Sequence, residues 1–401
     1  MRASRQIVRV TAEHALAWLP ASLRTRIVGE RYSWDRDDLN CVARAAKGEK
    51  RLLIGPANSA SQGVYWANAA RSLEGVEAQS LAFVRPGLSF TKDPDFAVPG
   101  TVGWYSRAWA ARQRRAIIDT FTHILYESEL PIIPGLYGDD IRSEIQDLCE
   151  HGIKVAMVAH GSDVRTPSQH VTIERFSPFS ESLDGLTDVL EKKTTKNRAI
   201  LDSLDVPKYV STLDLLSYVP EARWLPILTD PKRWTALPFP GLGSHKLRVL
   251  HAPSRPELKG TPAIREAMGS LVDAGLIEYQ EITNVRYEEM PTRISWADVV
   301  IDQLAIGPYG VTGVEAMLAG RVVVAQAGDF VRSEIVERTG RDLPILEANP
   351  ETIETVVRSI ALEPTSYAEV ARESRSFALD VHSVKRAAEA LRPFLFSEAQ
   401  N

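Results

Sequence analysis

The sequence predicts an α/β protein built from two doubly wound, parallel-sheet domains. Three observations carry that expectation. The chain has 401 residues, long for one hydrophobic core. Short apolar runs alternate with helix-length amphipathic stretches in two separate series. A proline-rich, aperiodic stretch divides the two series.

Apolar residues make up 44% and charged residues 25%, the balance of a globular protein. The formal charge of −5 argues against a general nucleic-acid binder, which would need a basic face for phosphates. The two cysteines, Cys41 and Cys149, fit a reducing compartment and have no metal-site spacing. No apolar run approaches the roughly 18–20 residues of a membrane-spanning helix, and no h-region marks a secretory signal, so a cytoplasmic setting is expected.

Residues 1–46 read as a helical extension of mixed polarity. The strand "RLLIG" follows at 51–55, then the loop "PANSASQG", the helix "VYWANAARSLEG" and the strand "AQSLAFV". Next come the helix "SRAWAARQRRAIIDTF", the strand "THILYE", the helix "DDIRSEIQDLCEHG" and the strand "KVAMVAHG". Residues 229–245, with Pro226 just upstream, hold four of the 24 prolines and form the expected linker. The second series runs from the strand "LRVLHAP" through the helix "PAIREAMGSLVDAG" and the strand "IEYQEIT". It continues with a helix over "YEEMPTRISWA", the strand "DVVIDQ", the helix "VEAMLAG" and the strand "RVVVAQ". The domains expected are 1–228 and 246–380, with a last helical segment over 381–401. Tandem domains of this kind leave a cleft, and open parallel sheets bind ligands outside the carboxyl ends of their strands. "GLG" at 241–243 precedes a strand, so it is not a dinucleotide-binding fingerprint, which must follow one.

Two loops carry chemistry. In "HAPSRPELKGTPAIREAM" a strand ends near Pro253 and a helix can begin at Thr261-Pro262, with threonine as N-cap. Arg255 and Lys259 lie between, and Gly260 permits close backbone approach. Two cations and a helix N-terminus suit a diphosphate, although two solvated surface cations would look the same. In "DQLAIGPYGVTGVEAMLAG" the helix is expected from about Gly313. Thr312 and Glu315 have capping-box spacing. Alternatively, the amides of Val311 to Val314 face a phosphate and Glu315 accepts ribose hydroxyls. Asp302 and Gln303 end the preceding strand, either as polar ligands or as hydrogen-bond partners of the loop. "DRD" at 35–37 reads as the opening of a helix rather than a metal motif, because acids favour a first turn.

"GPYGVTGVEAMLAG" followed by "RVVVA" resembles the donor-site signature of the GT-B glycosyltransferases, in particular the retaining family-four branch. "SRPELKG" is similar to that family's Arg…Lys-Gly element, and "AHGSDVR" at 159–165 to its His-Gly-Ser-Asp loop. "STLDLLSYVPEARWLPI" at 211–227 is similar to the segment closing its N-terminal domain. The resemblance covers about residues 120–228 and 246–390. It implies two Rossmann-like domains: an acceptor-side domain first, a nucleotide-sugar domain second, and a C-terminal helix that crosses back. It implies that Arg255 and Lys259 hold a donor diphosphate, with amides from Gly310 through Val311, Thr312 and Gly313 also on phosphate. Tyr309 would lie in the same donor loop, and Glu315 would bind ribose. His160 would stand at the reacting sugar, with Asn58, Ser59, Gly63 and Asp163 on the acceptor side. The sequence departs from the family's paired-glutamate pattern: Gly307 occupies the place of the first glutamate, the one that meets the donor sugar, and Asp302 and Gln303 are the candidates to supply polar contacts instead.

What the resemblance implies is transfer of a sugar from a nucleotide diphosphate donor to a glycan, lipid-linked or small-molecule acceptor, with retention and no metal or other cofactor. A nucleotide-sugar 2-epimerase of the same fold and a non-catalytic binding protein are the alternatives. Locally basic segments, residues 1–30 and "AWAARQRRA" at 108–116, could dock on anionic lipid, although a solvated helix face has the same composition. His123 and His382 have no context that distinguishes them from ordinary core histidines.

Overall fold

The computed structural model describes residues 23, 26, 34–85, 92–180, 183 and 185–397. The helical reading of residues 1–33, and with it the basic N-terminal segment, lies outside them apart from residues 23 and 26.

Among the described residues, twelve strands form two sheets. They are β1 (Lys50–Gly55), β2 (Val76–Val84), β3 (Phe96–Pro99), β4 (His123–Glu127), β5 (Lys154–Ala159), β6 (Lys208–Val210), β7 (Arg223–Trp224), β8 (Leu247–His251), β9 (Ile277–Glu281), β10 (Val299–Ile301), β11 (Val322–Ala325) and β12 (Leu346–Glu347). The first sheet has the order β3-β2-β1-β4-β5-β6-β7, and the second β12-β11-β10-β8-β9. Pairings from β3 through β5, and all those of the second sheet, are parallel. Central strands read as continuous apolar runs because helices cover both faces: Leu52, Leu53 and Ile54, or Val322, Val323 and Val324, are each fully buried. The second sheet's core joins Val249, Ile301 and Val324 to Ile264, Met268 and Ile353 from its helices.

The chain divides into two compact units. One comprises residues 1–160, 197–209 and 387–401, the other 161–196 and 210–386. Within the first unit the last helix is tied down by Tyr209, whose hydroxyl donates to the Ala390 carbonyl, and by the edge-on contact of His123 with Phe394.

Strand order matters more for function than strand number. In each sheet the winding reverses once, between β1 and β4 in the first and between β8 and β10 in the second. Such a switch point leaves a crevice at the carboxyl ends of the two strands, where the loops diverge.

One local expectation is corrected. Residues 41–47 form no helix; only Arg36–Asn40 does, capped by Asp35 and Asp38 reciprocally. Gln113 takes the Ala43 N–H at 2.8 Å and donates to its carbonyl, and Thr120 takes the Ala45 N–H, so tertiary partners replace helical ones. The basic helix Arg107–Thr120 also commits charge internally. Arg114 holds Asp147 with two bonds of 2.6 and 2.5 Å, and Arg112 donates to the Leu39 carbonyl.

Candidate functional site

At the first switch point β4 ends on Glu127, which is fully buried. Its Oε2 accepts the Asn58 N–H at 2.8 Å, and its Oε1 lies 3.1 Å from Nε2 of His160. The loop after β1 is thereby tied to the end of β4. Gly63 has to be small, because a Cβ there would come 3.1 Å from Glu127 Oε2 and 3.2 Å from Asn58 Oδ1. The His160 ring stacks on Trp66 with centroids 5.2 Å apart. A carboxylate on Nε2 and an indole on one face fix both tautomer and orientation of the imidazole.

Backbone strain gathers here. Asn58, Ala60, Ser61, Ser128 and Glu129 all have positive φ, and Asn284 is the one other non-glycine residue to do so among the described residues. Each such conformation costs on the order of 1 kcal/mol and persists only where surrounding contacts enforce it. Asn58 is buried, its Oδ1 accepting from the Val64 N–H. Ser59 opens a 3-10 turn and is half-buried.

The second switch point lies in the other unit. Asp302, just beyond β10, is buried and takes Lys259 Nζ at 2.8 Å on one oxygen and the Gly310 N–H at 2.6 Å on the other. Burial pushes its carboxyl up, but Lys259 and the Gly310 amide outweigh that, and the net shift is downward. Gly313 is required for the approach, since a Cβ there would meet Asp302 Oδ2 at 2.9 Å. Gln303 bonds the Pro308 carbonyl. Both strand-end residues therefore brace the loop that follows. Arg255 is exposed in the loop after β8.

The helix after that loop runs Val311–Leu318, beginning two residues before the expected Gly313. Gly310 is its N-cap and no side chain caps it, so the Thr312–Glu315 capping box does not form. The Gly310 amide, expected to face phosphate, is given to Asp302 instead. Glu315 is 3% exposed, bonded to Thr229 Oγ1 at 3.3 Å and to the Tyr287 side chain. Burial pushes its carboxyl up to about 8, against the opposing pull of Tyr287, Thr229 and Arg233. For a ribose to reach it, Thr229 or Tyr287 must release it.

Similarly, Thr261 is not the N-cap of the helix it opens; Gly260 is, with φ of 75°. The Thr261 hydroxyl is taken by Nε2 of buried His251, whose Nδ1 faces the Ile301 carbonyl. Tyr309 turns inward, its hydroxyl 3.0 Å from His382 Nε2. Asp163 is buried, and its Oδ1 takes the Gly161 N–H at 2.6 Å.

Gly307, the departure noted above, has a spatial counterpart. A Cβ at this residue would lie 2.9 Å from Arg165 Nη2 and 3.1 Å from Asp214 Oδ2. Arg165 and Asp214 are paired at 2.5 Å, so an ion pair occupies the volume a side chain would use. Sequence reasoning missed this pair and Glu127. The acid at the end of "THILYE" was the one available signal, and its partners lie 69 and 33 residues away.

Two parallel sheets, each doubly wound and each with a polar cluster at its switch point, define a GT-B fold. Solved structures agree. The chain resembles sucrose-phosphate synthase from Thermosynechococcus elongatus at 14% identity and a TM-score of 0.53, over 86% of this chain and 98% of that one. WaaG, a glycosyltransferase involved in lipopolysaccharide biosynthesis, aligns at 12% identity and 0.52, over 87% of this chain and all of that one. Anabaena Alr3699/HepE, solved in complex with UDP and glucose, aligns at 12% identity and 0.54 over the same shares. Identities this low establish the fold and no more. No protein-family profile and no curated protein sequence matches the chain.

Proposed function

We propose that the protein is a glycosyltransferase of the retaining family-four kind, which moves a sugar from a nucleotide diphosphate donor to a glycan, lipid-linked or small-molecule acceptor. The observation that carries this reading is the second switch point: Lys259 and exposed Arg255 follow β8, and Lys259 reaches Asp302, which braces the loop and helix start after β10. Breaking a sugar–phosphate bond leaves negative charge on the departing diphosphate. Cations fixed beforehand stabilise that charge as it develops, without reorganisation in the transition state. In this reading Lys259 exchanges some of its bond with Asp302 for phosphate oxygens, and Arg255 closes from the loop. Glu315 takes ribose hydroxyls once Thr229 or Tyr287 lets go. His160, held by Glu127 and Trp66, meets the reacting sugar. Side chains and amides carry the diphosphate without a metal ion.

The test is thermal stability against UDP, GDP, dTDP and ADP, followed by turnover of the matching nucleotide sugars. A nucleotide at about 100 times its dissociation constant should add roughly 2.7 kcal/mol. One base should shift the wild type and shift Glu315→Gln much less. Chelator should leave turnover unchanged, and NMR of the product should show the donor's anomeric configuration. A protein that no nucleotide stabilises is not this enzyme. One that binds a nucleotide sugar but neither transfers nor epimerises it is a binding protein.

A further inference from the structure

A second polar cluster in the unit of residues 161–196 and 210–386 has no part in the assignments above. Arg165 donates to Asp214 Oδ2 through Nε at 3.2 Å and Nη2 at 2.5 Å. Its guanidinium lies between two glycines. A Cβ on Gly161 would come 3.0 Å from Nη1, and one on Gly307 would come 2.9 Å from Nη2. The two side chains are 10% and 13% exposed, so the pair is nearly dry.

The cluster is incompletely satisfied. Asp214 Oδ1 is buried and has no hydrogen-bond partner among the described residues. The same holds for the hydroxyl of Tyr218, a residue only 3% exposed. Burial dominates the environment of that phenol, and the charges acting on it are those of Arg165, Asp214 and Glu174. Glu174 in turn accepts Gln326 Nε2 at 2.8 Å, at the carboxyl end of β11. Buried polar atoms are almost always bonded, so two unsatisfied ones beside an ion pair point to a missing partner.

The chemistry of that partner follows from the charges. Arg165 is bonded to Asp214, and the charges of Asp163 and Glu174 also act on it, so the cluster does not favour a phosphate. Arg165 likewise opposes a cation. A neutral group carrying hydroxyls fits: one hydroxyl donates to Asp214 Oδ1, and another exchanges a bond with the Tyr218 hydroxyl. A side chain at 307 would displace the pair, so the glycine there is what lets Arg165 and Asp214 stand together.

We propose that Asp214 and Tyr218 form a subsite for the hydroxyls of the sugar in a nucleotide sugar, with Arg165 as the positioning residue clamped between Gly161 and Gly307. The subsite rests on the donor reading above and adds to it the residues that select the sugar. Calorimetric titration of the full chain tests it, using UDP, GDP, ADP and dTDP alongside UDP-glucose, GDP-mannose, ADP-glucose and dTDP-glucose. For the preferred base, Tyr218→Phe and Asp214→Asn should leave the free diphosphate's affinity within about twofold. They should weaken the nucleotide sugar at least tenfold, which is about 1.4 kcal/mol. If either folded variant weakens both ligands alike, or neither, the subsite is wrong while the donor reading stands. A wild type that gains nothing from any sugar has the same meaning. If the wild type binds no nucleotide at all, the donor reading falls and takes the subsite with it. Should Asp214→Asn fail to fold, Tyr218→Phe, which removes one hydroxyl, decides alone.

Discussion

Arg165 and Gly307 share one volume: the guanidinium Nη2 stands 2.9 Å from where a Cβ on residue 307 would sit. Asp214 holds Arg165 there, so the arginine cannot simply swing aside. Gly307→Ala should therefore cost about 1–3 kcal/mol, the range for breaking a buried charged bond. In an Asp214→Ala background, where Arg165 is already released, the same change should cost less, leaving only the strain of a side chain at φ of 157°. Urea denaturation of the four proteins in this cycle measures the coupling. Additive costs would show that the pair does not exclude a side chain at 307.

Glu127 serves two partners, so its variants should separate two effects. Glu127→Ala strands the buried Asn58 N–H and should destabilise by about 1–3 kcal/mol. Glu127→Gln can keep that acceptor, yet it no longer offers His160 a charge. If His160 meets the reacting sugar, kcat should fall at least tenfold in Glu127→Gln while nucleotide affinity stays level. Equal losses in binding and turnover would mean that Glu127 only supports the fold.

The fold was readable because its signals are local. Runs such as "RLLIG" and "RVVVA" are too apolar for a half-exposed strand, and their spacing with helices forces parallel winding. The loops after β8 and β10 were also found from sequence, as the places where glycine and cations follow a strand. What those side chains touch was not readable. Thr312 and Glu315 have the spacing of a capping box, but Glu315 is claimed by Thr229, 86 residues away, and by Tyr287. Thr261 has the look of an N-cap and instead satisfies His251. In both cases a buried tertiary partner outweighs a local rule worth about 1 kcal/mol. Asp214 and Tyr218 sit in a segment singled out only for its resemblance, and nothing in that stretch marks their unsatisfied atoms.

Glu315 makes stability depend on pH in a definite direction. Its folded value of about 8 lies above its ordinary 4.5, so the folded state holds a proton that the unfolded chain has lost between those values. The contribution is fully present below about pH 4.5 and is lost as pH rises to about 8, a change on the order of a few kcal/mol. Buried Glu144, pushed up to about 7 by desolvation, has the same sign, so the wild-type profile alone does not isolate Glu315. The difference between wild type and Glu315→Gln does. The variant should gain on the wild type steadily from about pH 5 to 8 and run parallel outside that window. A flat difference would show that Glu315 is ionised in the folded protein. Nucleotide affinity should also rise over the same interval if ribose needs the carboxylate.

Lys259 and Asp302 offer the sharpest separation of stability from binding. Asp302 is fully desolvated, and its carboxyl is held below the ordinary range despite burial, with Lys259 as the largest favourable partner. A depressed carboxyl contributes stability above its unfolded value, about 3.9, and loses it as pH falls through the folded value. Removing the cation leaves a buried charge uncompensated, so Lys259→Met should cost about 3–5 kcal/mol at neutral pH. Lys259→Met/Asp302→Asn should recover much of that loss, because the amide can still accept the Gly310 N–H without a charge to bury. Nucleotide binding should not return with stability in the double variant, since the cation proposed to hold the diphosphate is still missing. If affinity does return, Lys259 serves only to neutralise Asp302, and the diphosphate must be held by Arg255 and the amides alone. If instead Lys259→Met costs under about 1 kcal/mol, the pair is screened by solvent, and Lys259 is free to reach a phosphate without first leaving Asp302.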